Sequence, residues 1–261
     1  MTRPNWLNAE GVATVVGVVL FWQLASTAGL LPTSAVPSPM TCARELWRLT
    51  ASGELAQPLL HTLTVVIVAA AIAMVAGVAL GTALGLSSFT YGWSMASVDF
   101  LRTIPIVALL PVAVLLWGPT TKSELVATAY AATWVMTINT AGAFRSVHPR
   151  LGDVGRTFGL PRWRIVTTIW LPAIGPSLLV GARLAVVNAS LVAIIAETLV
   201  NPQGLGWELI RAQQALRPGQ LWAYALLAGL FGYLLNVLLI QAVRLVTPGG
   251  RDNPALNGVR T

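Results

Sequence analysis

Charge is the first scarcity in this chain. Of its 261 residues only 10% are Asp, Glu, Lys or Arg, against 56% hydrophobic, and the mean hydropathy is +0.73. A soluble domain is about one quarter charged, so the composition excludes an ordinary water-soluble globule. Cysteine is nearly absent too. Cys42 stands alone, which rules out an intrachain disulfide and a cysteine-based metal cluster. The single lysine, Lys122, follows Thr121 where a phosphate-binding loop needs glycine. The chain therefore has no P-loop and is not expected to bind ATP. The two histidines, His61 and His148, are too far apart for a His-Glu-x-x-His motif, and no Gly-x-Ser-x-Gly elbow is visible. No catalytic, cofactor-binding or metal-ligating set emerges, and His148, beside a run of arginines, reads as a surface residue. The formal charge of +7 comes from few, scattered basic groups. In a chain this apolar they orient a membrane protein and do not mark a nucleic-acid footprint.

What the chain has is apolar length. Residues 11–43 and 55–98 carry no Asp, Glu, Lys or Arg, and a crossing needs about 20 apolar residues. The second stretch is too long for one helix, and Ser87-Ser88-Phe89-Thr90-Tyr91-Gly92 supplies a turn. The reading is all-α and polytopic, one transmembrane domain with about six spans, roughly 12–31, 62–86, 94–117, 124–145, 169–199 and 221–246. The fifth exceeds one crossing, so it must tilt, bend or project. Trp22 and Gln23 inside the long first stretch argue against a cleaved signal peptide. Pro32–Pro58 reads as an extracytoplasmic loop with a short surface helix over Cys42–Thr50. Six spans put both termini on one side. That side carries nine arginines, with Arg145, Arg150, Arg156, Arg162 and Arg164 in one loop, against five basic residues opposite. The positive-inside rule then places both termini in the cytoplasm.

Polar groups inside the spans carry the next signal. Arg183 and Glu197 are fourteen residues apart, about 40° short of whole turns, so they share a helix face with Val187, Ser190 and Ile194, and Asn188 lies beside it. Intramembrane charges mark function or hold bundles together. One reading makes this face line a translocation path for a small anion or zwitterion; the other pairs Arg183 and Glu197 with neighbouring helices. Asp99 and Arg102, three apart, can clasp on one helix. Gly77, Gly81 and Gly85 form a small-residue row for close helix packing, within the chain or across a dimer. Gly204-Leu205-Gly206-Trp207 reads as a turn into a short helix.

The loop 146–168 between spans four and five has a grammar of its own. A short helix runs from Pro149 to about Phe158, Gly159 suits its left-handed end, Pro161 blocks continuation, and Pro172 marks the return to the membrane. Gly159 stands four residues after Gly155, and Ile169-Trp170-Leu171-Pro172 begins ten residues after Gly159. In type and spacing this resembles the Glu-Ala-Ala loop of ABC-transporter importer permeases, with Asp153-Val154-Gly155 departing from the Glu-Ala-Ala triplet. Leu101-Arg102-Thr103-Ile104-Pro105, Gly181-Ala182-Arg183-Leu184-Ala185, Ala196-Glu197 and Gly204-Leu205-Gly206 are similar to the nitrate/sulfonate/taurine branch.

The resemblance implies a type I importer permease fold in a bacterial inner membrane, in contact with lipid. It implies two ABC ATPase subunits carrying ATP and Mg, a second permease (a copy or a homologue), and an extracytoplasmic solute-binding protein. It assigns Asp153, Val154, Gly155, Arg156, Gly159, Ile169, Leu171 and Pro172 to ATPase coupling, with a small oxyanion or sulfonate such as taurine as cargo. Two alternatives stay open: an ion-coupled secondary transporter using Glu197, for which no inverted repeat is visible, and a non-transporting membrane scaffold.

Overall fold

The computed structural model describes residues 9–32, 34–148 and 150–246, and among them every regular element is helical. The first helix, α1 (Ala9–Thr27), stands on the outside with most of its apolar side chains exposed. Trp22 ties it to the rest, its ring centroid 5.4 Å from that of Trp222. A short amphipathic helix, α2 (Pro39–Ala51), follows. Ser38 caps it, accepting from the Thr41 N–H at 3.2 Å, and Pro39 occupies the first turn, where its missing N–H costs nothing. Cys42 and Leu49 are its buried side chains.

Three helices make the core: α3 (Ala56–Gly85), α6 (Thr121–Ser146) and α10 (Gly175–Leu199). In lipid, apolar side chains gain little by moving from acyl tails to another helix, so close backbone approach matters more. The glycine row supplies that approach within the chain. A Cβ on Gly77 would stand 2.5 Å from Met136 Cβ, one on Gly81 2.5 Å from Thr140 Cβ, and one on Gly85 2.7 Å from Phe144 Cβ. Both helices step by four residues at each rung, so α3 and α6 run parallel. Gly181 plays the same part for α10, where a Cβ would meet Asn139 at 2.9 Å. Around these rungs, Val66, Ala73, Ala132, Met136, Ala185 and Ala189 form the buried centre.

The stretch expected as a span over 94–117 is broken. It consists of α4 (Ser88–Thr103) and α5 (Ile106–Trp117), bent by 77°. Pro105 is the cause. It denies the helical conformation to Ile104, which adopts φ −59°, ψ 119°. Tyr130 of α6 donates to the Leu101 carbonyl freed near the break, at 2.8 Å. The expected long fifth span resolves into a bend. After α7 (Arg150–Thr157) and α8 (Arg162–Ile165), a π-helical turn at Val166–Trp170 and the short α9 (Leu171–Ala173) lead into α10. Then α11 (Gly204–Gln214) and α12 (Pro218–Val246) complete the fold.

Among the described residues three helices, α3, α10 and α12, are long and apolar enough to cross a membrane, and a fourth crossing results if the bent α4–α5 pair is one span. That is fewer than the six expected. The apolar part of α1, Gly11–Thr27, is short. At 26 residues α6 is long enough, but it buries Glu124 and several threonines against its neighbours.

Candidate functional site

Two polar constructions lie at opposite ends of α10. The first, before its N-terminus, is the loop. His148 Nδ1 accepts from the Arg150 N–H at 3.2 Å as α7 begins. Asp153 lies in the first turn and Arg156 in the last, each complementing the helix dipole there, and they pair at 3.4 Å with about two thirds of each side chain exposed. The end of α7 is a full Schellman motif. Gly159 takes φ +68°, its N–H reaches the Arg156 carbonyl at 2.9 Å, and the Leu160 N–H reaches the Gly155 carbonyl at 3.0 Å.

The two faces of α7 differ. Gly152 and Gly155 face inward: a Cβ on Gly152 would lie 3.0 Å from the Trp170 ring, and one on Gly155 2.8 Å from Ile165 and 3.0 Å from Ile169. The departure of Gly155 from alanine therefore has a structural reason, since Ile165 and Ile169 occupy the methyl's space. Val154, which also departs from alanine, points away and is 49% exposed. It joins Leu151 and Phe158, the latter 77% exposed, in an outward apolar stripe at helical spacing. Leu171 and Trp170 anchor the loop against Phe144 and Ala143 of α6 and Ile174. Pro172 sits in the first turn of α9. Of the residues assigned to coupling, the fold thus brings Gly155 and Ile169 together and uses Gly159, Leu171 and Pro172 as backbone and anchoring elements. Asp153, Val154 and Arg156 are left outward.

The second construction is at the far end of α10. Glu197 is fully buried. It accepts from Thr62 Oγ1 of α3 at 2.6 Å and from the Gly206 N–H of α11 at 2.8 Å. The Thr62 hydroxyl in turn accepts from the Leu205 N–H at 3.0 Å. Gly204 has φ +91°, and a Cβ there would overlap the Glu197 carboxylate. Glycine is thus required twice over at this residue. Beside this lock, Glu124 Oε2 of α6 lies 3.0 Å from His61 Nε2 and accepts from Asn201 Nδ2 at 2.7 Å. The residues of this group are 61, 62, 124, 197 and 201, contributed by α3, α6 and α10 with the turn after it. A cleft of about 260 Å³ opens onto it, lined by Glu54, His61, Gln203, Gly204, Glu208 and Arg211 among others.

The face proposed from the spacing of Arg183 and Glu197 is engaged with protein at both charged ends. Arg183 Nε donates to Asn236 Oδ1 of α12 at 2.7 Å, and Glu197 is held as described. Ser190 is buried, its hydroxyl donating to the Val186 carbonyl at 2.9 Å. Val187, Asn188 and Ile194 are half-buried. The alternative of pairing with neighbouring helices is what this chain displays at Arg183 and Glu197. Asp99 and Arg102 do clasp, at 2.8 Å and about half exposed, immediately before the Pro105 break. Sequence reasoning missed Thr62, Glu124 and Asn201 and gave His61 no part. The helix-start position of Glu124, in the first turn of α6, is the one local signal that could have singled it out.

Residues 72–251 match the family model described as the binding-protein-dependent transport system inner membrane component. Among curated relatives, the chain is 32% identical to an aliphatic sulfonates transport permease protein, SsuC, of Escherichia coli (strain K12), over 85% of this chain and 84% of that one. It is 28% identical to the nitrate import permease protein NrtB of Synechocystis sp. over 72% of this chain and 68% of that one. Among solved structures, a chain of the MetNI methionine ABC transporter in an inward-facing conformation superposes with a TM-score of 0.66 at 20% identity, covering 73% of this chain and 94% of that one.

Proposed function

We infer the role from one premise: the chain belongs to the family of binding-protein-dependent transport system inner membrane components. It is a multi-pass permease subunit of an ABC importer, of the nitrate/sulfonate type. The finer assignments are proposals. Chief among them, α7 is the surface on which the ATPase subunit seats. The observation that carries this is the outward stripe Leu151, Val154 and Phe158, flanked by the exposed Asp153–Arg156 pair, on a helix whose other face is fixed to Trp170, Ile165 and Ile169. An apolar stripe rimmed by charge fits a protein groove, and its rigid backing fits a lever.

In this reading two ATPase subunits carry ATP and Mg and close on them, α7 moves with its ATPase, and α8 to α10 pass the motion into the bundle. A second permease completes the path, a solute-binding protein delivers the cargo, and each conformational state must bind its ligands differently for the cycle to run. We place six crossings by counting α1 and α6, and both termini in the cytoplasm by the arginine bias. The half-buried Val187, Asn188 and Ile194 are our assignment for path-facing positions. The cargo is a small oxyanion or sulfonate, an assignment supported by the relatives named for aliphatic sulfonates and nitrate.

The test is uptake of labelled taurine, an alkanesulfonate and nitrate by cells of the native host, alongside purification of the tagged chain in mild detergent. Uptake of one of these solutes that requires ATP, with one ATPase subunit recovered per permease, supports the reading. Uptake that collapses with the ion gradient and persists without ATP contradicts it.

A further inference from the structure

The cluster at the far end of α10 has an unbalanced electrostatic account. Glu124 and Glu197 are both fully buried, and one oxygen of each lies within 4.8 Å of the other and of a His61 ring nitrogen. Among the described residues, the partners these carboxylates find are Thr62, Gly206, His61 and Asn201. None is a lysine or arginine. Neutral donors soften a buried carboxylate, but two of them side by side call for a positive charge. One oxygen, Glu124 Oε1, is buried with no hydrogen-bond partner at all, so acceptor capacity stands open in a site where it is costly to leave unused.

We propose that His61, Glu124 and Glu197 bind a divalent transition-metal ion of the zinc class, which clamps the ends of α3, α6 and α10 together. One imidazole nitrogen and two carboxylate oxygens form a ligand set suited to zinc, whereas calcium and magnesium take oxygen donors. A 2+ ion cancels the two carboxylates. Tetrahedral ligands about 2.0–2.1 Å from zinc stand roughly 3.3 Å from one another. The 3.0 Å His61–Glu124 separation is close to that, and a Glu197 oxygen lies within 4.8 Å of a ligand atom of each, near enough to be drawn in as the ion binds. Glu197 keeps a free lone pair on each oxygen while accepting from Thr62 and Gly206. Asn201, whose amide donates to Glu124 Oε2 at 2.7 Å, serves as the outer partner that orients that carboxylate. His61 is the point of access. Its side chain is 13% exposed and lines the cleft that also holds Gln57 and Gln203. The site depends on the fold alone, so it stands or falls independently of the cargo and of the ATPase contact.

The experiment uses the full chain, purified within its complex, stripped with a chelator and then titrated with Zn²⁺ alone. Bound metal is read by elemental analysis. The expected result is one Zn²⁺ per chain with micromolar or tighter affinity, weakened at least tenfold by His61→Gln and by Glu124→Gln and unchanged by Glu208→Gln on the cleft wall. Co²⁺ titration of the unmodified chain is the second arm and needs no variant to fold. Visible absorption bands of a low-symmetry nitrogen-and-oxygen site are expected, displaced by Zn²⁺. Less than a tenth of an ion per chain, or Zn²⁺ binding that His61→Gln leaves intact in a monodisperse protein, overturns the proposal. Absence of displaceable Co²⁺ bands overturns it as well.

Discussion

The two ends of α10 solve opposite problems with the same small residue. At the Glu197 end, glycines 204 and 206 let backbone come against a buried carboxylate, and Thr62, Glu124, Glu197 and Asn201 are buried between helices. At the α7 end, glycines 152 and 155 let a short helix lie flat on Trp170, Ile165 and Ile169, while its charged and apolar side chains turn outward. The first end is closed on itself, and the second leaves a face open. A change at the Glu197 end should therefore cost stability, and a change on the outer face of α7 should cost coupling with the fold intact.

The strongest break of that contrast is Gly204→Val. Its φ of +91° and the overlap with Glu197 combine strain and collision, and a loss above about 3 kcal/mol is expected, read as loss of folded protein in detergent. Thr62→Val comes next. The hydroxyl it removes donates to Glu197 and accepts from Leu205, so about 2 kcal/mol should go with little change in shape, seen as a lower thermal midpoint. Gly159→Ala meets open space but must keep φ +68°, for about 1 kcal/mol. Phe158→Asp should change stability by less than about 0.5 kcal/mol, as exposed substitutions do. ATP-dependent uptake should nevertheless drop at least roughly tenfold, the effect of losing about 1.4 kcal/mol at an interface anchor. Smallest is Arg102→Gln. It removes an exposed i,i+3 pair, worth well under about 1 kcal/mol. If Phe158→Asp unfolds the chain, or Thr62→Val leaves the midpoint unmoved, the contrast between the ends fails.

The same contrast explains what could be read from the chain beforehand. The loop is local: Gly155, Gly159, Ile169 and Pro172 lie within 18 residues, and each has a backbone reason to stand where it does. The short helix α2, the glycine row and the turn at Gly204 were legible for the same cause. The buried cluster joins residues 61, 62, 124, 197 and 201, and spacing along a chain says nothing about helices that meet side by side. Arg183 and Glu197 were placed on one face by helical period, correctly as geometry. The period could not say that Asn236 and Thr62 would cover the two ends. The 77° bend was marked by Pro105, but a largely apolar stretch hides a break because composition averages over it.

The central claim, that the outer face of α7 meets an ATPase, can be tested with the chain's own scarcity of thiols. Cys42, the one cysteine, is buried in α2, and burial pushes its thiol above the ordinary range. Thiolate is the reactive form, so Cys42 should label slowly near neutral pH and faster only as pH rises above that range. A cysteine at Val154 is then the reactive thiol. In native membranes, Val154→Cys labelled with a thiol-reactive photo-crosslinker and irradiated should give an adduct with an ATP-binding subunit, whereas Gln214→Cys, exposed at the other end of the bundle, should not. A Val154 thiol that stays freely reactive in the assembled transporter and forms no such adduct would contradict the account.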